Sequence, residues 1–575
     1  MAHIHQSRRD FLKATGLIIG GGLVGAGLTG VIESRKAPYA HVGRRPTGDK
    51  PNVVCILLDA LRADYVGCYG RRVENCLGDY VSPTPNLDRV AAEGTVCESA
   101  YGHSITRYSM FSLHCGQIRS AFDPTYTGRF TRHFSPTFPE LFRDNGYKTQ
   151  TLTGNPVHYT FSQNTRGYKR RDIFFGQNYF LDGRWHRHTD AHGAFIDVKK
   201  MLDGIGREPF MWYIHIVPPH APYDPYKDFA EHFDDGNGWP KELDPYLGEI
   251  IGAQIGKGKD PPDFIRNHLE KITPNYLDHI RAMYAASVYS ADWFVGKVVN
   301  QLEYMGILEN TVLVVMSDHG EEFLEHGGIM HDGSMYEEDT RIPLVFRYPY
   351  GVGVGKRIRD LVSIADVPAT MLFYAGMLSE GEKFGDGRSL HEALTKRKRK
   401  QHRERVISEA VGVAIREREQ EREWKAVVYD WQIPRKADPS RAVWRRNIGE
   451  KPSELYDLAT DPGERHNLAS ELPELVDEFT EVAEDYVERG SDLWYEYVPK
   501  HGGPKTPDQI IQWNEELMRV ANRAAWGADE EREAVQDVLG DRVAVKDLIN
   551  LDLKLEEGRV SREALERLQA LGYAK

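Results

Sequence analysis

The sequence predicts an α/β fold: an α/β/α sandwich around a mostly parallel central sheet, with a smaller antiparallel sheet toward the C-terminal end. Three observations predict it. Continuous apolar runs of strand length recur, with helical stretches between them, which is the pattern of parallel strands buried on both faces. Two of these runs stop abruptly at acidic residues, as happens where strand ends open onto a ligand crevice. Beyond residue 400 the texture changes to short amphipathic strands joined by polar loops.

In chain order, Pro51 to Leu58 (PNVVCILL) is the first such strand and ends at Asp59. Asn86 to Glu93 and Pro139 to Asn145 read as helices. Pro209 to Val217 (PFMWYIHIV) is the next buried strand, and Met283 to Met305 a long helix. Thr311 to Met316 (TVLVVM) runs into Ser317-Asp318-His319-Gly320, and Ile342 to Phe346 (IPLVF) is a further strand. Alternating buried strands and helices imply the sandwich. Trp424 to Tyr429 and Glu454 to Leu458 supply the small antiparallel sheet, and the tail from Thr506 has a helical pattern. The predicted organisation is a signal and linker over 1–45, a catalytic α/β domain over 46–400, a small-sheet subdomain over 401–500 and a helical tail over 501–575.

With 575 residues, 41% hydrophobic and 11% aromatic, the chain can bury a large core. A net charge of −13 argues against general nucleic-acid binding, which depends on positive charge facing phosphates. The basic run Lys396 to Arg405 reads as a solvated face. Ser7-Arg8-Arg9-Asp10-Phe11-Leu12-Lys13, followed by an apolar, glycine-rich run to Ile32, resembles a twin-arginine export signal. The twin-arginine translocase is therefore the expected partner, and the periplasm or cell exterior the expected location. An uncleaved signal would leave a membrane anchor. All five cysteines fall in the first fifth of the chain, without a CxxC pair. Cys68 and Cys76 either bridge or stay as thiols.

Asp59, Asp318 and His319 offer carboxylate oxygens and an imidazole nitrogen at converging strand ends, a donor set suited to a divalent ion such as Ca, Mn or Zn. Each residue alone is equally a turn or helix cap. Their order along the chain adds weight. Pro51 to Gly70, Ser82 to Gly94 (SPTPNLDRVAAEG), Pro219-His220-Ala221-Pro222-Tyr223, Asp318-His319-Gly320, His331, Tyr336-Glu337-Glu338 before Arg341, and Glu454 to Leu468 (ELYDLATDPGERHNL) together resemble the sulfatase family of the alkaline phosphatase superfamily. The resemblance covers about Pro51 to Leu468. It implies an alkaline-phosphatase-like fold and a metal-dependent hydrolase acting on a small anionic ester.

The resemblance also gives a register for Ser99 to Gln117. The family's nucleophile motif, Cys-x-Pro-Ser-Arg, places Thr106 on the cysteine that becomes formylglycine, Tyr108 on the proline, Ser109 on the serine and Met110 on the arginine. Threonine cannot become formylglycine. A formylglycine hydrate releases its sulfate by elimination, whereas a threonine ester is cleaved only by water attacking the transferred group, which favours phosphoryl over sulfuryl transfer. Thr106 is thus the expected nucleophile and a fourth metal ligand. Arg107 is an anion clamp if it turns inward, and otherwise a surface ion pair.

His220 and His331 match family positions near the leaving oxygen, and either suits a general acid. His215 and His326, each five positions earlier, belong to a second metal site or support the first from outside it. Ala60 removes one potential ligand. Lys425 either reaches the cleft or lies along a strand surface. The hydrolase reading has two alternatives, a phospho-group transferase and a non-catalytic binding protein that keeps the fold and metal.

Overall fold

The structure is a computed structural model that describes residues 50–117, 136–155 and 166–168, most of 173–233, most of 274–396 and of 401–429, and 452–497. The predicted export signal and the helical tail lie outside the described residues. Among the described residues no helix is long and apolar enough to cross a membrane.

The main sheet has nine strands: β1 (Asn52–Leu58), β2 (Thr95–Tyr101), β3 (Lys148–Thr153), β4 (Ile173–Phe175), β5 (Phe210–Ile216), β6 (Thr311–Met316), β7 (Arg341–Ile342), β8 (Leu344–Arg347) and β9 (Lys356–Ser363). Their order is β7, β2, β8, β6, β1, β5, β3, β4, with β9 pairing β2. Pairings of β1 with β6 and β5, of β3 with β5 and β4, and of β2 with β9 are parallel; those involving β7 and β8 are antiparallel. The expected strand Ile342 to Phe346 is split at Pro343, which has no N–H to give to a ladder.

Every residue of β1 is buried, because helices cover both sides of the sheet. The described helices that matter here are α1 (Pro85–Ala92), α2 (Thr106–Cys115), α3 (Phe138–Asp144), α4 (Pro274–Tyr304), α5 (Asp366–Tyr374) and α6 (Pro473–Tyr497). Val54, Ile56 and Leu58 pack with Leu87 of α1 and Tyr284, Val288 and Phe294 of α4. The alternate residues Val53, Cys55 and Leu57 pack with Met110 and Leu113 of α2, Phe138 and Phe142 of α3, and Met371 of α5. This two-sided alternation is the predicted sandwich. The helix α4 begins nine residues before the expected Met283, at Pro274, whose fixed φ suits a first helical position.

A second sheet is antiparallel throughout, in the order β10 (Arg405–Glu409), β11 (Gly412–Glu419), β12 (Arg422–Tyr429) and β13 (Glu454–Asp457). One face packs on Phe479, Ala483 and Tyr486 of α6. Ala414, Val427 and Tyr429 meet Ile105, just before α2, and Met335. The basic run is not wholly solvated: Arg403 is buried and its Nε donates to Asp366 Oδ2 at 2.7 Å. No disulfide joins Cys68 to Cys76, and all five cysteines are thiols.

Candidate active site

Four neighbouring parallel strands end at the same edge of the sheet and together deliver five polar groups, two of them after β6. Leu57 of β1 is in register with Met316 of β6 and with His215 of β5, and Thr153 of β3 is in register with His215. Asp59 therefore follows β1, Asp318 and His319 follow β6, His215 sits near the end of β5, and Asn155 follows β3. Ser317 locks the two central loops together: its Oγ accepts from Leu61 N at 2.8 Å and donates to Leu58 O at 2.7 Å.

Asp59, Asp318 and His319 are fully buried, and one donor atom from each lies within 4.8 Å of the others. Asp59 Oδ1 and Asp318 Oδ2 accept no hydrogen bond among the described residues. They lie 3.5 and 3.6 Å from His319 Nε2. His319 Nδ1 faces the carbonyl of Gly320 at 2.8 Å. A carbonyl only accepts, so Nδ1 carries the proton and Nε2 presents a lone pair to the two carboxylates. Two orphaned buried carboxylate oxygens and one imidazole lone pair fit a divalent cation.

The other oxygens of the two carboxylates are held in place. Asp59 Oδ2 accepts from His215 Nε2 at 2.9 Å and from Asn155 Nδ2 at 2.5 Å. Burial opposes ionisation of Asp59, but the His215 hydrogen bond, reinforced by the surrounding imidazoles of His220 and His319, holds its carboxyl well below the usual range. Asp318 is pushed the other way, by burial and then by the charge of Asp59. Asp318 Oδ1 accepts from Ala60 N at 3.3 Å. Ala60 has φ of 59°, a left-handed conformation unusual for an alanine, and Tyr284 Oη holds its carbonyl at 2.7 Å. At a position that offers no side-chain ligand, the backbone N–H orients a ligand instead.

Thr106 is the first residue of α2, and its Oγ1 lies 3.0 Å from His319 Nε2. The hydroxyl is thus at the positive end of a helix and beside the orphaned carboxylate oxygens. Ser109, one turn on, donates to Asp318 O at 2.8 Å and accepts from His103 N at 2.9 Å, which ties the helix to the end of β6. A Cβ at Gly102 would sit 2.0 Å from Asp318 O. That atom is main chain and cannot rotate away, so Gly102→Ala is expected to cost about 1–3 kcal/mol. A thermal melt checks this, and an unchanged midpoint would show that the loop relaxes freely.

The small sheet braces the same loop. Ser408 Oγ donates to Gly102 O at 2.6 Å, and Glu409 N donates to His103 Nδ1 at 2.9 Å. Since Nδ1 accepts, Nε2 carries the proton and donates to Ser112 Oγ at 2.8 Å. Burial pushes the His103 pKa down to about 3, so the ring stays neutral in this bridge.

His220 and His331 stand beside His319. Ring centres are 4.3 Å apart for His319 and His331, 4.7 Å for His220 and His331, and 6.4 Å for His220 and His319. His220 Nδ1 faces the carbonyl of Ala221 at 2.5 Å, which leaves Nε2 a lone pair. His331 Nδ1 instead faces a carboxylate, Glu321 Oε1, at 2.7 Å, with Glu321 fully buried. Nδ1 of His331 thus donates to a buried carboxylate, where Nδ1 of His220 donates to a carbonyl. The two histidines that the sequence treats as equivalent are therefore chemically different.

Arg107, Met110, His215, His326 and Lys425 have the following neighbours. Arg107 is half-buried, with its guanidinium 5.9 Å from the ring centre of Tyr108. Met110 is buried in the core, where Tyr213 Oη lies 3.0 Å from its sulfur. His215 supports Asp59 from outside the cluster, and His326 belongs to a separate group of residues. Lys425 neither reaches the cleft nor lies along the surface; it is fully buried, with Nζ 2.5 Å from Glu464 Oε1. Asn155, Glu321, His103 and Ser408 are not picked out by the sequence.

Residues 51–377 match the Sulfatase family profile. Arylsulfatase K of Bos taurus is 23% identical over 513 residues, spanning 82% of this chain and 86% of the relative. A Delta 4,5-hexuronate-2-O-sulfatase of Bacteroides thetaiotaomicron is 24% identical over 484 residues, spanning 77% and 90%. Among solved structures, a 2-O GAG sulfatase superposes with a TM-score of 0.55 at 21% identity over 80% of this chain and 96% of that one. A phosphonate monoester hydrolase of Agrobacterium radiobacter gives 0.54 at 16% identity over 76% and 96%. These superpositions bear on the fold, and they agree with the alkaline-phosphatase-like sandwich.

Proposed function

The chain belongs to the sulfatase family, and from that premise we propose that it is a metal-dependent ester hydrolase whose nucleophile is Thr106. The observation that carries this reading is the Thr106 hydroxyl at the start of α2, 3.0 Å from His319 Nε2 and beside the orphaned oxygens of Asp59 and Asp318. Asp59, Asp318, His319 and Thr106 would hold the cation, which when bound polarises the ester oxygens and lowers the hydroxyl pKa so that Thr106 reacts as the alkoxide.

Thr106 Oγ1 attacks the transferred group in line, its bond to that group forming as the bond to the leaving oxygen breaks. His331 Nε2 gives its proton to the leaving oxygen, and Glu321 holds the ring and stabilises its charged form. The resulting threonine ester has no hydrate hydroxyl from which to eliminate. Water must therefore attack the transferred atom, with His331, now neutral, taking the water's proton. That requirement favours a phosphate mono- or diester as substrate. His220, with its lone pair on Nε2, accepts a hydrogen bond from the substrate or the water.

A specific observation favours a second reading, a sulfate ester processed without formylglycine: the curated relatives given above are named for sulfate esters. Purified protein assayed on p-nitrophenyl sulfate and on the corresponding phosphate mono- and diesters separates the two. Faster turnover of a phosphate ester is expected, and a sulfate ester turned over much faster than every phosphate ester would reject the preference.

His331→Ala is expected to lower kcat/KM, which reports formation of the threonine ester, by about 10²–10⁴-fold for an alkyl phosphate ester but far less for p-nitrophenyl phosphate, whose leaving group needs no proton, while kcat falls for both because water attack also uses His331. Equal losses in kcat/KM on both substrates would remove His331 from the acid role. The twin-arginine-like segment supports a place of action outside the cytoplasm; fractionation of cells expressing the full chain tests it.

A further inference from the structure

A second cluster of buried polar residues lies at the seam between the main sheet's loops and the small sheet. His326 comes from the loop between two short strands at 322–323 and 329–330, Glu338 from a short helix at 337–340, and Glu464 from the loop after β13. One ligand atom from each lies within 4.8 Å of the other two. Exposure of the three side chains is 8%, 13% and 0%. His326 Nε2 and Glu338 Oε2 lie 3.6 Å apart without a hydrogen bond among the described residues, while Glu464 Oε1 has Lys425 Nζ at 2.5 Å. His326 also stacks on Tyr336, ring centres 3.6 Å apart and planes 14° apart, which fixes the direction of its nitrogen. Glu322, 4% exposed, brings another buried carboxylate oxygen without a hydrogen bond.

Among the described residues one ammonium, that of Lys425, already pairs with this cluster, and the nearby arginines are committed to other groups. Lys425 Nζ pairs with Glu464 Oε1 at 2.5 Å and reaches Glu337 Oε1 at 3.4 Å, and Arg416 pairs with Glu337. Arg62 pairs with Asp64 and Glu325. Against the carboxylates of Glu464, Glu338 and Glu322 this sets one ammonium and the imidazole of His326. Several carboxylates around one aimed imidazole nitrogen, out of water, carry excess negative charge that a cation would neutralise.

We propose that His326, Glu338 and Glu464 bind a divalent transition-metal cation, Zn²⁺ or Mn²⁺, at a site distinct from that of Asp59, Asp318 and His319. The imidazole donor selects these ions over Ca²⁺ and Mg²⁺, which prefer oxygen alone. Two of the ligands belong to the main sheet's loops and one follows the small sheet, so the ion fastens the two layers together. The layer it fastens is the one whose β10 braces Gly102 and His103 beside the nucleophile.

The test is the full chain saturated with Zn²⁺, desalted and measured for metal per chain, alongside Glu338→Gln, which preserves side-chain volume, and His326→Gln. Each substitution is expected to remove one equivalent, both in the parent chain and in an Asp318→Asn background. Each is also expected to abolish the rise in melting temperature that Zn²⁺ gives in that background. Unchanged stoichiometry in both variants, or no Zn²⁺-dependent melting shift in Asp318→Asn, overturns the site.

Discussion

Thr106→Ala is expected to lower turnover of the best ester substrate by about 10⁴-fold or more, because it removes the atom that forms the covalent intermediate. The side chain is 7% exposed, small, and held at the first position of α2, so losing its hydroxyl and methyl should leave the fold and the cation ligands of the sheet edge intact. Metal content is therefore expected to stay within a factor of two of the parent while turnover collapses. Thr106→Ser keeps an oxygen at the same place and should recover much of the rate, and its phosphorylated or sulfated serine should be trapped by rapid acid quench. If Thr106→Ala kept more than a tenth of the parental rate, the nucleophile would be another group, and the hydroxyl at 3.0 Å from His319 would be a metal ligand alone.

The parts of this site that the sequence reveals are those at the ends of continuous apolar runs. A strand buried on both faces has no reason to carry Asp59 or Asp318 except at its end, and parallel neighbours put those ends together. The parts it hides come from strands whose texture is polar. β3 reads KTQTLT and β2 reads TVCESAY, neither an apolar run nor a clean alternation, so Asn155 after β3 gives no local signal. Glu321 lies in a stretch rich in charge, and only the fold turns it toward His331. Ser408 and Glu409 reach the nucleophile loop across 306 residues of chain, through hydrogen bonds to a carbonyl and a histidine ring that leave no spacing to read. Lys425 fails for a related reason: a lysine on an amphipathic strand reads as solvated unless the Glu337 and Glu464 carboxylates that bury it are known. The choice between His220 and His331 likewise depends on what each Nδ1 faces, a carbonyl in one case and a carboxylate in the other.

The second large effect expected is that Asp318→Asn weakens the function while strengthening the metal-stripped fold. Asp318 Oδ2 and Asp59 Oδ1 are buried without donors, and burial followed by the charge of Asp59 raises the Asp318 pKa. An acid whose folded pKa lies above its unfolded value destabilises the fold once pH exceeds the unfolded value, near 3.9, and the penalty grows until the folded pKa is passed. Asparagine is nearly isosteric, retains an oxygen to accept from Ala60 N, and removes both the charge and its pH dependence. With chelated protein at pH 7, Asp318→Asn is expected to be more stable than the parent by about 1–3 kcal/mol. The same substitution removes a charged ligand, so turnover should fall by about 10³-fold or more and the variant should no longer retain the catalytic cation on desalting. Opposite signs for stability and activity separate a metal centre from a purely structural carboxylate pair, which would lose stability on substitution. A variant that unfolded more readily than the metal-stripped parent, while keeping its activity within tenfold, would place the reaction away from Asp318.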